Sequence, residues 1–234
     1  MPLLCTHNLN AFYGVLQALF SVDLEIERGE LVALIGANGA GKSTLLSALV
    51  GAIPAATEAI HFNGRPVGGI ATYDAARFGI TLVPEGRRLF PSLTVEENLK
   101  TGGLTRRPGP WSLSQLYRRF PILQELRHRS SMTLSGGQQQ ILAIGRALMA
   151  NPILLLCDEL SLGLSPTATK EIYEAISVAR AEGMTIVLVD QNVSHALAFS
   201  NRFYCLQKGR KVLSGVSSSA NLETIAQAYF GAAV

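Results

Sequence analysis

The chain has 234 residues, of which 48% are hydrophobic and 16% charged, with a mean hydropathy of +0.26. That length suits one large domain with a sub-lobe, and the apolar content excludes a disordered chain. The uncharged, apolar-looking stretch Ser43 to Thr57 is interrupted by Ser, Thr, Gly and Pro and falls short of a membrane span.

Twenty Lys and Arg against 17 Asp and Glu give a net charge of +3. The basic pairs Arg87-Arg88, Arg106-Arg107 and Arg118-Arg119 read as solvated faces, so no nucleic-acid partner is expected. Cys5, Cys157 and Cys205 are odd in number and far apart, with neither a disulfide framework nor metal-ligand spacing, which fits a reducing compartment. The opening MPLLCTHNLN lacks the basic and apolar regions of a signal peptide.

In chain order, residues 21–27 alternate strictly, with Val22, Leu24 and Ile26 on one face, and predict a half-exposed antiparallel-type strand. Arg28-Gly29-Glu30 turns the chain into a continuous apolar run, Leu31 to Ile35, expected of a strand buried on both faces. A helix follows over Leu45 to Val50, and Asn63-Gly64 marks a tight turn. From about 85 to 150 buried-strand runs are missing and helix starts recur, with capping boxes at Thr94/Glu97 and Ser135/Gln138; Asn151-Pro152 closes the last helix. Buried strands are expected again at Ile153 to Cys157 and Met184 to Val189, separated by a helix capped by Ser165, with Pro166 at its first position, and ended by Glu182-Gly183. Apolar runs alternating with helices imply an α/β core with a mostly parallel sheet. Cys157 reads as a small apolar core residue. Trp111 marks either a docking face of the helical lobe or a loop residue packed on its own lobe.

Residues 36–44, Gly-Ala-Asn-Gly-Ala-Gly-Lys-Ser-Thr, match the phosphate-binding pattern G-x-x-x-x-G-K-[ST]. Backbone N–H groups can curl around a phosphate only where side chains do not block them, and the helix that opens here adds its positive end. Gly36, Asn38, Gly39, Gly41, Lys42, Ser43 and Thr44 are therefore candidate nucleotide contacts, with Lys42 neutralising phosphate oxygens and Ser43 ligating Mg²⁺. Ile153 to Glu159 is an apolar strand ending in Asp-Glu, which suits the acidic partner of such a loop: Asp158 for the Mg²⁺ shell and Glu159 to polarise the attacking water. In Leu134-Ser-Gly-Gly-Gln138, two glycines directly after a helix cap cost about 1 kcal/mol each against Ala. They make sense where a helix N-terminus must press against something without side chains, such as a γ-phosphate.

The phosphate loop, the Leu-Ser-Gly-Gly-Gln signature and the Asp-Glu strand, in this order, resemble the nucleotide-binding subunits of ABC transporters over nearly the whole chain. The resemblance implies one ATPase domain over 1–234. Its α/β P-loop NTPase core with an antiparallel β subdomain would occupy 1–84 and 151–234, and an inserted helical subdomain 85–150. It implies ATP and Mg²⁺ as cofactors and head-to-tail pairing with a second ATPase subunit, identical or different, on whose nucleotide Ser135, Gly136, Gly137 and Gln138 act. Tyr13, on its own a surface or core tyrosine, becomes the residue stacked on adenine. The family usually has Pro where Leu160 stands and Asp where Ser165 stands.

Glu85, in Pro-Glu-Gly-Arg-Arg, replaces the usual Gln at the entry to the helical lobe. Gln191, in Asp-Gln-Asn, replaces the usual His after the last core strand. Glu85 would ligate Mg²⁺ or orient water, and Gln191 would hydrogen-bond the γ-phosphate. His195, one turn further on, reads as an ordinary helix-surface histidine rather than a displaced switch. These segments, with Leu93-Thr-Val-Glu-Glu-Asn-Leu99 and the closing Ala-Tyr-Phe-Gly, are similar to ATPases of branched-chain amino acid importers. That implies two integral-membrane permease subunits, indirectly a solute-binding protein, and a peripheral position on the cytoplasmic face of the inner membrane. A subunit serving another small solute such as urea or amides, and a soluble non-transport ATPase of the same family, stay open as alternatives.

Overall fold

The computed structural model describes residues 1–230; Gly231, the last residue of the closing Ala-Tyr-Phe-Gly segment, lies outside the described residues. The elements run β1 (Leu4–Tyr13), β2 (Leu16–Ile26), β3 (Leu31–Ile35), α1 (Lys42–Leu49), β4 (Ile60–Phe62), β5 (Arg65–Pro66), α2 (Thr72–Phe78), β6 (Ile80–Val83), α3 (Val95–Gly102), α4 (Leu113–Arg119) and α5 (Pro121–Glu125). They continue with α6 (Gly136–Leu148), β7 (Leu154–Asp158), α7 (Pro166–Ala181), β8 (Thr185–Val189), α8 (Val193–Phe199), β9 (Arg202–Gln207), β10 (Arg210–Val216) and α9 (Leu222–Phe230). Two compact units divide the chain: residues 1–75 with the described part of 185–234, and residues 76–184.

In the first unit, β1 pairs antiparallel with β2 on one side and β4 on the other, and β4 with β5. Val22, Leu24 and Ile26 are buried as the alternation predicts, although β2 begins earlier, at Leu16. Asn63 and Gly64 form the predicted turn between β4 and β5, both at positive φ. The unit's second sheet is built on β3, buried at all five positions, which lies parallel to β8 and β9. Strand β10 returns antiparallel on β9. Helices α8 and α9 close one face of this sheet around Ala33, Ile35, Ala196, Leu197, Phe203, Cys205 and Ile225.

Strand β9 escapes the sequence reading because its buried run, Phe203 to Leu206, is only four residues long and is flanked by Arg202 and Gln207. Strand β1 escapes it because register shifts between Thr6 and Phe12 break its alternation.

In the second unit β6 and β7 pair in parallel, from Ile80–Leu154 to Val83–Cys157. Four helices, α3 to α6, fill the segment between residues 85 and 150. Both capping boxes form as expected, and Ser165 caps α7 with Pro166 at its first position. Helix α6 stops at Leu148, slightly before Asn151-Pro152, with Met149 as its C-cap.

Buried polar side chains stitch the loops of this unit. Asn98 Nδ2 donates to the carbonyls of Phe90, Leu93 and Thr94, and its Oδ1 accepts from Phe90 N–H. Asn151 Oδ1 accepts from Trp111 N–H at 2.7 Å, and Asn151 Nδ2 donates to the Trp111 carbonyl. Trp111, 5% exposed, is thus a loop residue packed on its own lobe.

Candidate active site

The first unit carries the phosphate loop between β3 and α1. Gly36 leaves β3 at φ 148°, where a Cβ would collide with the Leu206 carbonyl of β9; only glycine fits. Lys42 is 4% exposed, and its ammonium donates to the carbonyls of Gly36 at 2.8 Å and Ala37 at 3.1 Å. The lysine therefore laces the loop on which it stands. Gly209 N–H donates to the Ala40 carbonyl and Phe20 N–H to the Gly209 carbonyl, which ties the loop to the β9–β10 turn and to β2.

Helix α1 begins after Gly41, at φ 104°, with no side-chain cap, whereas α3, α4, α6 and α7 each have one. An anion can take that capping role, so the loop suits the phosphates of ATP. Gly39 has open space where a Cβ would stand. Ser43 is exposed and Thr44 buried, and Asn38 lies in the turn ahead of α1.

Two more predicted residues are brought to this loop. Tyr13, at the end of β1, is 53% exposed, and its hydroxyl lies 3.4 Å from Thr44 Oγ1 on α1. Its ring is thus held at the loop with a face to offer. Gln191 follows β8, whose Val189 is the register partner of Leu34. Parallel strands end together, so Gln191 and Gly36 emerge at the same sheet edge. Asn192 N–H bonds the Asp190 carboxylate at 2.7 Å, and Asn192 caps α8 at His195 N–H, which shapes the turn that presents Gln191. His195 is exposed on α8 with its ring against Phe199, as an ordinary helix-surface histidine.

The second unit gathers the carboxylates. Val83 pairs with Cys157, so Pro84-Glu85 and Asp158-Glu159 follow neighbouring strand ends of the β6–β7 pair. Asp158 is 6% exposed, Glu159 half-buried at φ 47°, and Glu85 exposed. Such acidic oxygens are hard donors that suit Mg²⁺. Cys157 behind them is fully buried, and burial with the Asp158 charge pushes its thiol far above the ordinary range, so it is no nucleophile. Leu160 is buried, and Ser165, in place of the usual Asp, caps α7 at Ala168 N–H.

The loop after Glu85 is held by groups that sequence reading missed. Gly86, Arg87 and Arg88 all have positive φ, a conformation strained for the two arginines. Arg146 of α6 donates to the carbonyls of both Arg88 and Arg87, at 2.8 and 3.1 Å, and its guanidinium lies over the Phe90 ring. Arg87 in turn donates to Gln139 Oε1 at 2.9 Å. The loop with Glu85 is thereby fastened to the signature helix. The only sequence signal was a basic residue in the last turn of α6, which reads equally as a response to the helix dipole.

The signature glycines also have neighbours inside this unit. A Cβ on Gly136 would press on Leu164 Cδ2 at 2.8 Å, and one on Gly137 on Ala168 Cβ at 2.8 Å. Gly137 is thus packed closely on Ala168 at the start of α7, inside this unit, whereas at Gly136 the neighbour is the mobile end of the Leu164 side chain. Ser135 Oγ and Gln138 Oε1 are engaged in their own capping box.

Stacking at Tyr13 predicts that Tyr13→Ala raises the ATP dissociation constant by on the order of 2- to 12-fold, the about 0.5 to 1.5 kcal/mol of an aromatic pair. Tyr13→Phe or Tyr13→Trp should hold it near wild type. Fluorescent-nucleotide titration reads this, and equal losses for Phe and Ala would assign the effect to the hydroxyl facing Thr44.

A family model described as ABC transporter matches residues 19–161. The high-affinity branched-chain amino acid transport ATP-binding protein BraG of Pseudomonas aeruginosa is 46% identical over 207 residues, covering 88% of this chain and 89% of BraG. The probable branched-chain amino acid transport ATP-binding protein LivF of Archaeoglobus fulgidus is 35% identical over 219 residues, covering 92% and 93%. A solved structure described as the ATP-binding subunit of an ABC transporter matches with a TM-score of 0.80 at 28% identity, over 96% of this chain and 98% of that one.

Proposed function

The chain belongs to the ABC transporter family, and from that premise we propose that it is the ATP-hydrolysing subunit energising an importer of branched-chain amino acids. The observation that carries the solute class is the likeness to BraG, which runs nearly the full length of both chains. No described helix is long and apolar enough to cross a membrane. In this reading, which rests on the likeness to importer ATPases, separate permease subunits carry the solute and this chain acts on them from the cytoplasmic face.

In this reading the loop from Gly36 to Thr44 binds the phosphates, with Asn38 and Gly39 at the turn, Lys42 neutralising oxygens and Tyr13 stacking on adenine. Ser43 and Asp158 would hold Mg²⁺, which screens phosphate charge when bound. Glu159 polarises the attacking water as general base, and Glu85 orients water or adds a metal ligand. Ser135, Gly136, Gly137 and Gln138 present the end of α6 to the nucleotide of a second ATPase subunit. Gln191 donates its amide N–H to the γ-phosphate.

The test of function is uptake by proteoliposomes holding this chain with its cognate permeases and second ATPase subunit. ATP-driven accumulation of leucine, isoleucine or valine, dependent on the solute-binding protein, is the expected result. Uptake of urea or amides but not of these amino acids would overturn the solute assignment. ATP hydrolysis that no permease stimulates would overturn the transport role.

Gln191→Ala should lower hydrolysis on the order of tenfold to a thousandfold if its hydrogen bond forms in the transition state. Gln191→His should retain activity and gain a pH dependence near neutrality. The protonated imidazole, present below its pKa, makes the stronger charge-assisted bond, so the rate should fall as pH rises through that pKa. Steady-state hydrolysis from about pH 6 to 9 measures both, and an unchanged rate in Gln191→Ala would remove this residue from catalysis.

A further inference from the structure

The antiparallel sheet of the first unit carries a side-chain cluster that nucleotide chemistry does not use. Cys5 and His7 stand two residues apart on β1, hence on one face, and Cys5 is the register partner of His61 on β4. The alternate positions Leu4, Thr6, Ile60 and Phe62 are buried, so the three occupy the outer face. Cys5 Sγ and one ring nitrogen of each histidine lie within 4.8 Å of one another, the one group of its kind among the described residues.

The spacing suits a small coordination sphere. Cys5 Sγ is 3.3 Å from His7 Nε2, near the roughly 3.5 Å edge that Zn–S and Zn–N bonds of about 2.3 and 2.0 Å span at a tetrahedral centre. His61 Nε2 lies 3.3 Å from Glu58 Oε2, and His61 Nδ1 is buried with no hydrogen-bond partner. A carboxylate on one ring nitrogen holds the proton there and leaves the other as a lone pair, the arrangement found behind metal-bound histidines. A buried lone pair without a donor is costly unless something electrophilic meets it. Glu25, the register partner of Cys5 on β2, brings a second carboxylate to this face.

We propose that Cys5, His7 and His61 form a binding site for a divalent cation of the zinc class, which ties β4 to β1. One sulfur and two imidazoles exclude hard cations such as Mg²⁺, which take oxygen ligands. On loading, the Cys5 thiol gives its proton to solvent as the metal–sulfur bond forms and the cation sheds water. The site stands apart from the nucleotide residues, because its ligands lie at the start of β1 while Tyr13 ends that strand.

The test titrates the full-length, nucleotide-free protein with Co²⁺ as spectroscopic probe and then with Zn²⁺ alone. One equivalent of Co²⁺ should produce a thiolate-to-metal charge-transfer band that Zn²⁺ abolishes. Cys5→Ser should remove the band, and the exposed-site variant His7→Gln should weaken Zn²⁺ binding on the order of tenfold or more. Lys42→Ala should leave both unchanged. Zn²⁺ should raise the melting temperature of the wild type and not of Cys5→Ser. A missing band, a band that survives in Cys5→Ser, or equal Zn²⁺ affinity in wild type and His7→Gln would overturn the site.

Discussion

Glu159→Gln is expected to leave ATP binding within about twofold of wild type and to cut steady-state hydrolysis on the order of 100- to 10,000-fold, the range of a lost general base. That is about 3 to 5 kcal/mol of barrier. The physical basis is narrow: Gln keeps the size and shape of Glu, and loses only the charge and the capacity to accept a proton. Glu159 leaves the end of β7 at φ 47°, a backbone state available to Gln at similar cost, so the fold is not what the substitution tests. Because binding survives and turnover stops, ATP-bound protein should accumulate with its second ATPase subunit. Single-turnover hydrolysis and equilibrium binding, measured on one preparation with the correct partner, separate the two. Hydrolysis at the wild-type rate would remove Glu159 from the chemistry.

Lys42→Ala should act on the other side of that division. Its ammonium is a charge-assisted donor worth about 1.5 to 3 kcal/mol, so its loss should raise the ATP dissociation constant on the order of 10- to 150-fold. The structure adds a second consequence. Lys42 also bonds the Gly36 and Ala37 carbonyls, so its removal loosens the loop as well as removing charge. The fall in kcat/KM should therefore exceed the rise in the dissociation constant, since a loop that wanders holds the transition state less well than the ground state. Lys42→Met keeps most of the stem but lacks the charge and both carbonyl bonds; it should retain the stem packing that Lys42→Ala loses and still bind ATP weakly. Undiminished ATP affinity in Lys42→Met would overturn the role of the ammonium.

Chemistry carried by contiguous residues was legible before any fold was known. The phosphate loop from Gly36 to Thr44 is one, because consecutive backbone amides form its cradle and their residues must be adjacent. The caps Thr94/Glu97, Ser135/Gln138 and Ser165 are others, because a cap acts within its own first turn. Leu31 to Ile35 reads as a buried strand because both its faces are apolar. The presence of an α/β core and the chain's membership in its family follow from such local marks.

Contacts between distant segments were decided only in three dimensions. Tyr13 meets Thr44 across 31 residues, and the segments with Glu85 and Glu159 follow strands that pair side by side, β6 and β7. Arg146 fastens the Arg87-Arg88 turn from 58 to 59 residues away. Gly136 and Gly137, which by sequence pointed to a ligand, also stand against Leu164 and Ala168. Cys5, His7 and His61, which show no metal-ligand spacing in the sequence, converge because β4 pairs with β1. The physical reason is common to all five. A local motif is specified by a few backbone dihedrals and one or two hydrogen bonds between neighbours. Strand register and helix packing are instead set by the summed burial of many apolar side chains, so no short stretch of residues records which distant groups they bring together.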